Sequence, residues 1–184
     1  PGYRMWNEYA RFGEALQFPL FSAVTSVWDG MYSTFWLDGV LSSNYSLESR
    51  PPWQSYWLGT SAWMAVLPTL AILFGTIMPI GHMLARPKEP WTYMDRMQLF
   101  ACGCIGIYLA AILYMHLRIP IWSGAKASYM SSITPCIAFL AIRGYERMTA
   151  SSRWLGAFAF AWFGCWYMTA YVSYFITMPL ITEF

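Results

Sequence analysis

Charge is scarce in this chain of 184 residues, with Asp, Glu, Lys and Arg making up only 11%. Soluble domains carry about 25%. Three stretches, residues 51–85, 97–117 and 154–178, have none of these four residues. Such stretches exclude an ordinary water-soluble globule, which would expose large apolar patches. The net charge is only +2, so the basic excess that would recruit nucleic acid or an acidic partner is missing, and no nucleic-acid partner is expected. The cysteines Cys102, Cys104, Cys136 and Cys165 form no Cys-x-x-Cys pair and all lie in apolar surroundings. They read as small hydrophobes rather than as a metal or redox centre. No acid interrupts the apolar runs, which argues against the proton path of a pump or the charged lining of a channel. Phosphate-loop, Gly-x-Ser-x-Gly and His-Glu-x-x-His motifs are missing too, and with them the commonest sequence warrants for catalysis.

What fills the chain instead is apolar and aromatic. Hydrophobic residues reach 58% and aromatics 20%, a composition suited to a bilayer with Trp and Tyr at its interfaces. A helix rises about 1.5 Å per residue, so about 20 apolar residues cross a hydrocarbon core of roughly 30 Å. The fold class expected is therefore all-α: a polytopic transmembrane bundle of about four helices behind an aromatic interfacial segment. The division is 1–56 for that segment and 57–184 for the membrane domain, with helices near 57–82, 97–117, 127–142 and 154–178. Pro68 and Pro79 are expected to kink the first helix, and Pro135 lies inside the third. Within the N-terminal segment the apolar run from Ala15 to Trp28 is short and broken by Pro19, so it reads as interfacial or re-entrant. The start at Pro1 without Met is expected of a processed chain or a fragment.

Orientation follows from Lys and Arg in the short loops. Arg86, Lys88 and Arg96, together with Arg143, Arg147 and Arg153, share one side, while Arg118 and Lys126 lie opposite. Both termini are therefore expected on the non-cytoplasmic side, in a bacterial inner membrane.

Candidate chemistry is sparse. His82 and His116 are candidate axial ligands for a pigment or haem, yet they close successive helices at opposite faces and cannot share one metal. The bland reading is two interfacial histidines. Trp28-Asp29-Gly30 and Trp36-Leu37-Asp38-Gly39 form two acidic turns. They suit a general base or metal ligand, or simply two solvated Asp-Gly turns. Lys126, near Ser123 and Tyr129, is placed to hold a lipid phosphate as a point charge or to snorkel as an anchor. The small residues from Ala101 to Gly106 point to a close helix contact through Gly103 or Gly106. Asn44-Tyr45-Ser46 fits a glycosylation acceptor in a secretory context.

The stretches MYSTFWLDG, RPPW and WMAVLPTLAILFG, then RIPIWSGAKASYMSSITPCIAFLAIRGYERM and a last helix ending SYFI, carry a family resemblance. Over roughly residues 30–176 the chain resembles the C-terminal membrane region of bacterial glycosyltransferases similar to the dolichyl-phosphate-mannose protein mannosyltransferases. The matched positions are Tyr32, Ser33, Trp36, Asp38, Gly39, Pro51, Pro52, Trp53, Pro120, Ser123, Lys126, Ala127 and Tyr129. The resemblance implies a polyprenyl-phosphate sugar donor, with Asp38, Lys126 and Tyr129 on its lipid-phosphate side. The family's catalytic acid lies in a large outer loop ahead of the matched region. The function expected is accordingly a non-catalytic subunit of a larger membrane complex, such as a photosynthetic or respiratory one, derived from that module. Its partners are the bilayer, bound lipids and other membrane subunits. The alternatives are the C-terminal part of a lipid-linked-sugar glycosyltransferase, and a pigment-binding subunit using His82 or His116.

Overall fold

The computed structural model describes residues 5–37, 39, 55–85, 90–119 and 126–176. Among these residues every regular element is helical and there are no strands. The α-helices are α1 (Glu14–Gln17), α2 (Val27–Trp36), α3 (Ser55–Met64), α4 (Val66–Ala85), α5 (Tyr93–Arg118), α6 (Thr134–Thr149) and α7 (Arg153–Phe175). Short 3-10 turns lie at Trp6–Tyr9, Ser22–Val24 and Ala127–Ile133. Three helical spans are long and apolar enough to cross a membrane: Trp57–Ala85, Tyr93–Arg118 and Arg153–Phe175. The protein is a helical membrane protein by this measure.

The chain divides into two compact units. One comprises Pro1–Ala65, Pro120–Ala127 and Phe163–Phe184; the other comprises Val66–Ile119 and Ser128–Trp162.

In the first unit α2 is built on a strong start signal. Ser26 is the N-cap, and its hydroxyl accepts from the N–H groups of Trp28 and Asp29, satisfying donors that a helix start leaves unpaired. Below it lies a core of Ala15, Tyr32, Leu37, Leu58, Ala62 and Ala65, flanked by Trp36 and Trp166. The Tyr32 hydroxyl donates to the Ala62 carbonyl at 2.6 Å, so α2 is tied to α3 by a buried polar contact as well as by apolar packing. The carboxyl-terminal part of α7 joins α3 through hydroxyls: Ser61 donates to Thr169 at 2.8 Å. Ser173, fully buried, returns its hydroxyl to the Thr169 carbonyl. Serine and threonine are suited to this because the carbonyl one turn back can take the proton inside an apolar setting.

In the second unit the most extensive helix contact is α4 against α6. Gly75 and Gly144 sit at that crossing. A Cβ added to Gly75 would overlap the Leu140 carbonyl oxygen, and one added to Gly144 would overlap the Ala71 carbonyl oxygen. The two backbones thus approach more closely than any side chain would permit. On α5, a Cβ added to Gly103 or Gly106 would meet no described residue within 4 Å. α5 meets the 3-10 turn ahead of α6 through Tyr108, which accepts from the Ser132 hydroxyl at 2.6 Å, and α4 through the Cys102 thiol near the Thr76 carbonyl.

Two element bounds depart most from the sequence expectation. The first long helical span is interrupted at Ala65. Pro68 supplies no N–H and its ring crowds the carbonyl of Met64, the last residue of α3. The helix expected at 127–142 is a 3-10 turn at Ala127–Ile133 followed by α6 at Thr134–Thr149. Pro135 sits in the first turn of α6, where its missing N–H costs nothing. The helix then runs on through Arg143–Thr149, because Arg, Glu and Met are good helix formers. The end expected near residue 178 lies outside the described residues.

Candidate functional site

A charged cleft opens in the second unit, at the carboxyl-terminal end of α4, the amino-terminal end of α5 and the second half of α6. Its volume is about 710 Å³, and its polar lining is His82, Thr92, Asp95, Gln98, Arg143, Glu146 and Arg147. Met78, Pro79, Gly81 and Ala85 give it an apolar side. Each polar group is placed by its helix. Thr92 and Asp95 form a capping box at the start of α5, with Asp95 accepting from the Thr92 N–H at 3.0 Å and hydroxyl at 2.7 Å. The same carboxylate lies 3.9 Å from His82 Nδ1, which is held in the last turn of α4. Gln98, one turn further along α5, is buried. Arg143, Glu146 and Arg147 share one face of α6 at spacings of three and four residues. Arg143 Nη1 pairs with a Glu146 carboxylate oxygen. Its Nε is buried and has no hydrogen-bond partner among the described residues.

In the sequence Arg143 and Arg147 read as loop charges that set orientation. The missed signal was the Arg-x-x-Glu-Arg spacing, which is that of a continuing helix face, together with the capping box Thr92-x-x-Asp95.

In the first unit Asp29 departs from the solvated turn that the sequence suggested. It lies in the first turn of α2 and is 1% exposed. Oδ1 accepts from the N–H groups of Gly13 at 2.8 Å and Ala15 at 2.9 Å. The carboxylate thus caps the start of α1 and is spent on structure. Around it, Ser26 donates to the Arg11 carbonyl, Trp28 Nε1 to the Tyr9 carbonyl at 2.7 Å, and Ser22 to Ser33 at 3.0 Å. Residues 9–33 are thus pinned by their own polar groups. Asp38, the second candidate acid, lies outside the described residues, as do Ser123, Pro120 and Pro51–Trp53.

Lys126 is half-buried, immediately before the 3-10 turn, and Tyr129 is half-exposed. The neighbour of Lys126 is fixed: the Ala127 N–H donates to the Thr34 hydroxyl at 2.8 Å. That contact ties Ala127 to α2 within the first unit. His116 is fully buried near the end of α5, with Nδ1 2.8 Å from the Ile112 carbonyl. A carbonyl only accepts, so this nitrogen carries the proton. His82 is beside Asp95, which precedes His116 by 21 residues of α5, or roughly 30 Å of helix. His82 of α4 thus lies beside the start of α5, and His116 lies near its end. Among the described residues no group of three or more His, Cys, Asp or Glu side chains could hold a metal ion.

Comparison with known proteins returned no matching family model, no curated relative and no solved structure.

Proposed function

We propose that this chain is a non-catalytic membrane module that packs within a larger membrane assembly. The observation that carries the reading is the exposure of its spanning helices. In the apolar windows of α5 and α7 only 17% and 11% of the residues are buried within the chain. A Cβ added to Gly103 or Gly106 on α5 would meet no described residue within 4 Å, and small residues admit a close neighbouring helix. The excess of Lys and Arg at the junctions of α4 with α5 and α6 with α7 supports a cytoplasmic position for those junctions, with both termini on the other side. Extraction from the native membrane in mild detergent, followed by intact-mass analysis, tests the assembly. Stoichiometric partner subunits are the expected result; a chain that migrates alone sinks the reading.

A second reading has its own support. The Thr34–Ala127 hydrogen bond brings Lys126 to α2, as a lipid-phosphate site of a polyprenyl-phosphate-sugar transferase would require. Transfer of a labelled hexose from a polyprenyl-phosphate donor by the extracted assembly, reduced at least tenfold by Lys126→Ala, is what this reading expects. An assembly that transfers no sugar ends it.

A further inference from the structure

We infer that the cleft between α4, α5 and α6 binds a phosphate-ester anion, and that its source is the headgroup of a membrane phospholipid. This goes beyond the subunit reading and does not depend on it.

The argument begins with which charges in the cleft are already spent. Asp95 serves the α5 cap through Thr92 and faces His82. Glu146 is taken by Arg143 Nη1. Both acids that line the cleft therefore have partners inside it. The cations do not balance in the same way. Arg143 keeps a buried Nε–H without an acceptor among the described residues, although a guanidinium has five donors to place. Arg147, one turn away on the same face, forms no ion pair with a described residue. Two guanidinium groups with spare donors on one wall favour an oxyanion that accepts several hydrogen bonds at once, and phosphate is matched to that fork. Their place in the second half of α6 also suits cations, since the carboxyl end of a helix carries partial negative charge.

The opposite wall selects the source. Met78, Pro79 and Ala85 are apolar and belong to the end of a span long enough to cross a bilayer. A free phosphate has no use for that wall, whereas a phospholipid sets its acyl chains against it and its phosphate against the arginines. The site lies where spanning helices end, which is the depth of a headgroup. If the Lys and Arg distribution orients the chain as proposed, the cleft meets the leaflet where anionic lipids concentrate.

The test uses the full chain in the assembly in which it is extracted, studied by native mass spectrometry with three probes: dioleoylphosphatidylglycerol, dioleoylglycerol and inorganic phosphate. Arg147→Gln is compared with Arg153→Gln, which removes the same charge from an exposed residue outside the cleft. Phosphatidylglycerol should be retained by the wild type and by Arg153→Gln, and held about tenfold more weakly by Arg147→Gln. Arg143→Gln with Arg147→Gln should abolish retention. Should that double variant fail to fold, the exposed Arg147 variant still decides. Dioleoylglycerol, which lacks the phosphate, should not be retained. Retention of the phospholipid against excess inorganic phosphate supports the lipid headgroup. Binding of inorganic phosphate without the lipid keeps the anion site and overturns its lipid source. Equal losses in the Arg147 and Arg153 variants, equal retention of dioleoylglycerol, or binding of none of the probes would overturn the proposal.

Discussion

At the scale of single residues, buried polar groups in this chain act as fasteners. Asp29 receives two backbone donors from residues 14 and 16 positions earlier. Hydrogen bonds to a charged group contribute about 1.5–3 kcal/mol each, and deleting the acceptor leaves two amides unsatisfied. Asp29→Ala is expected to destabilise the first unit by about 3 kcal/mol, read as a fall in the detergent unfolding midpoint. Asp29→Asn keeps a carbonyl acceptor and should lose less. Equal effects of the two variants would show that the carboxylate is not the clasp described here. The Ser61–Thr169 pair is a milder case. Interhelical hydrogen bonds in membranes average about 0.6 kcal/mol, so Ser61→Ala should cost less than 1 kcal/mol by the same measurement.

At the scale of elements, glycine location decides which helices touch. Gly75 and Gly144 have carbonyl oxygens of the facing helix where a Cβ would stand, and a carbonyl cannot swing aside as a flexible side chain can. Gly144→Ala is expected to force α4 and α6 apart and to cost about 3 kcal/mol or more, in line with overpacking of a closed contact. Gly103→Leu and Gly106→Leu make the opposite pair. Both positions are open within the chain, so the chain's own unfolding midpoint should hold while co-purification of partner subunits weakens. Loss of both properties would place a packing contact on that face of α5 inside the chain itself. The Ala71-x-x-x-Gly75 spacing was present in the sequence, but so was the Gly and Cys run of α5. Nothing local distinguishes a small residue that meets a neighbour from one that meets lipid.

At the scale of the whole molecule, three spans with mean hydropathy of 1.9, 1.9 and 1.2 are long and apolar enough to hold the protein in a bilayer. Each is helical over nearly its whole length, so most of its backbone hydrogen bonds are made within the span, as a membrane favours. Alkaline carbonate washing of native membranes is expected to leave the chain in the pellet, and only detergent should release it. Release by carbonate would mean that the spans are covered by protein rather than lipid.

The sequence by itself determined the class and the rough positions of the long helices, because a run of about 20 uncharged apolar residues has few stable homes other than a bilayer. It also placed His82 and His116 at opposite helix ends, since helix length follows from residue count alone. The tertiary structure decided what each polar residue is for. Asp29 followed by Gly30 is a turn signal in isolation; it becomes a buried clasp only because the amides of Gly13 and Ala15 come to meet it. Arg143 and Arg147 look like orientation signals until α6 extends through them and α4 and α5 close a cleft around them. Hydropathy is a local property that survives in a one-dimensional string. A hydrogen-bond partner, a close backbone approach and a cleft each depend on residues distant in the chain, and so exist only once the helices have packed.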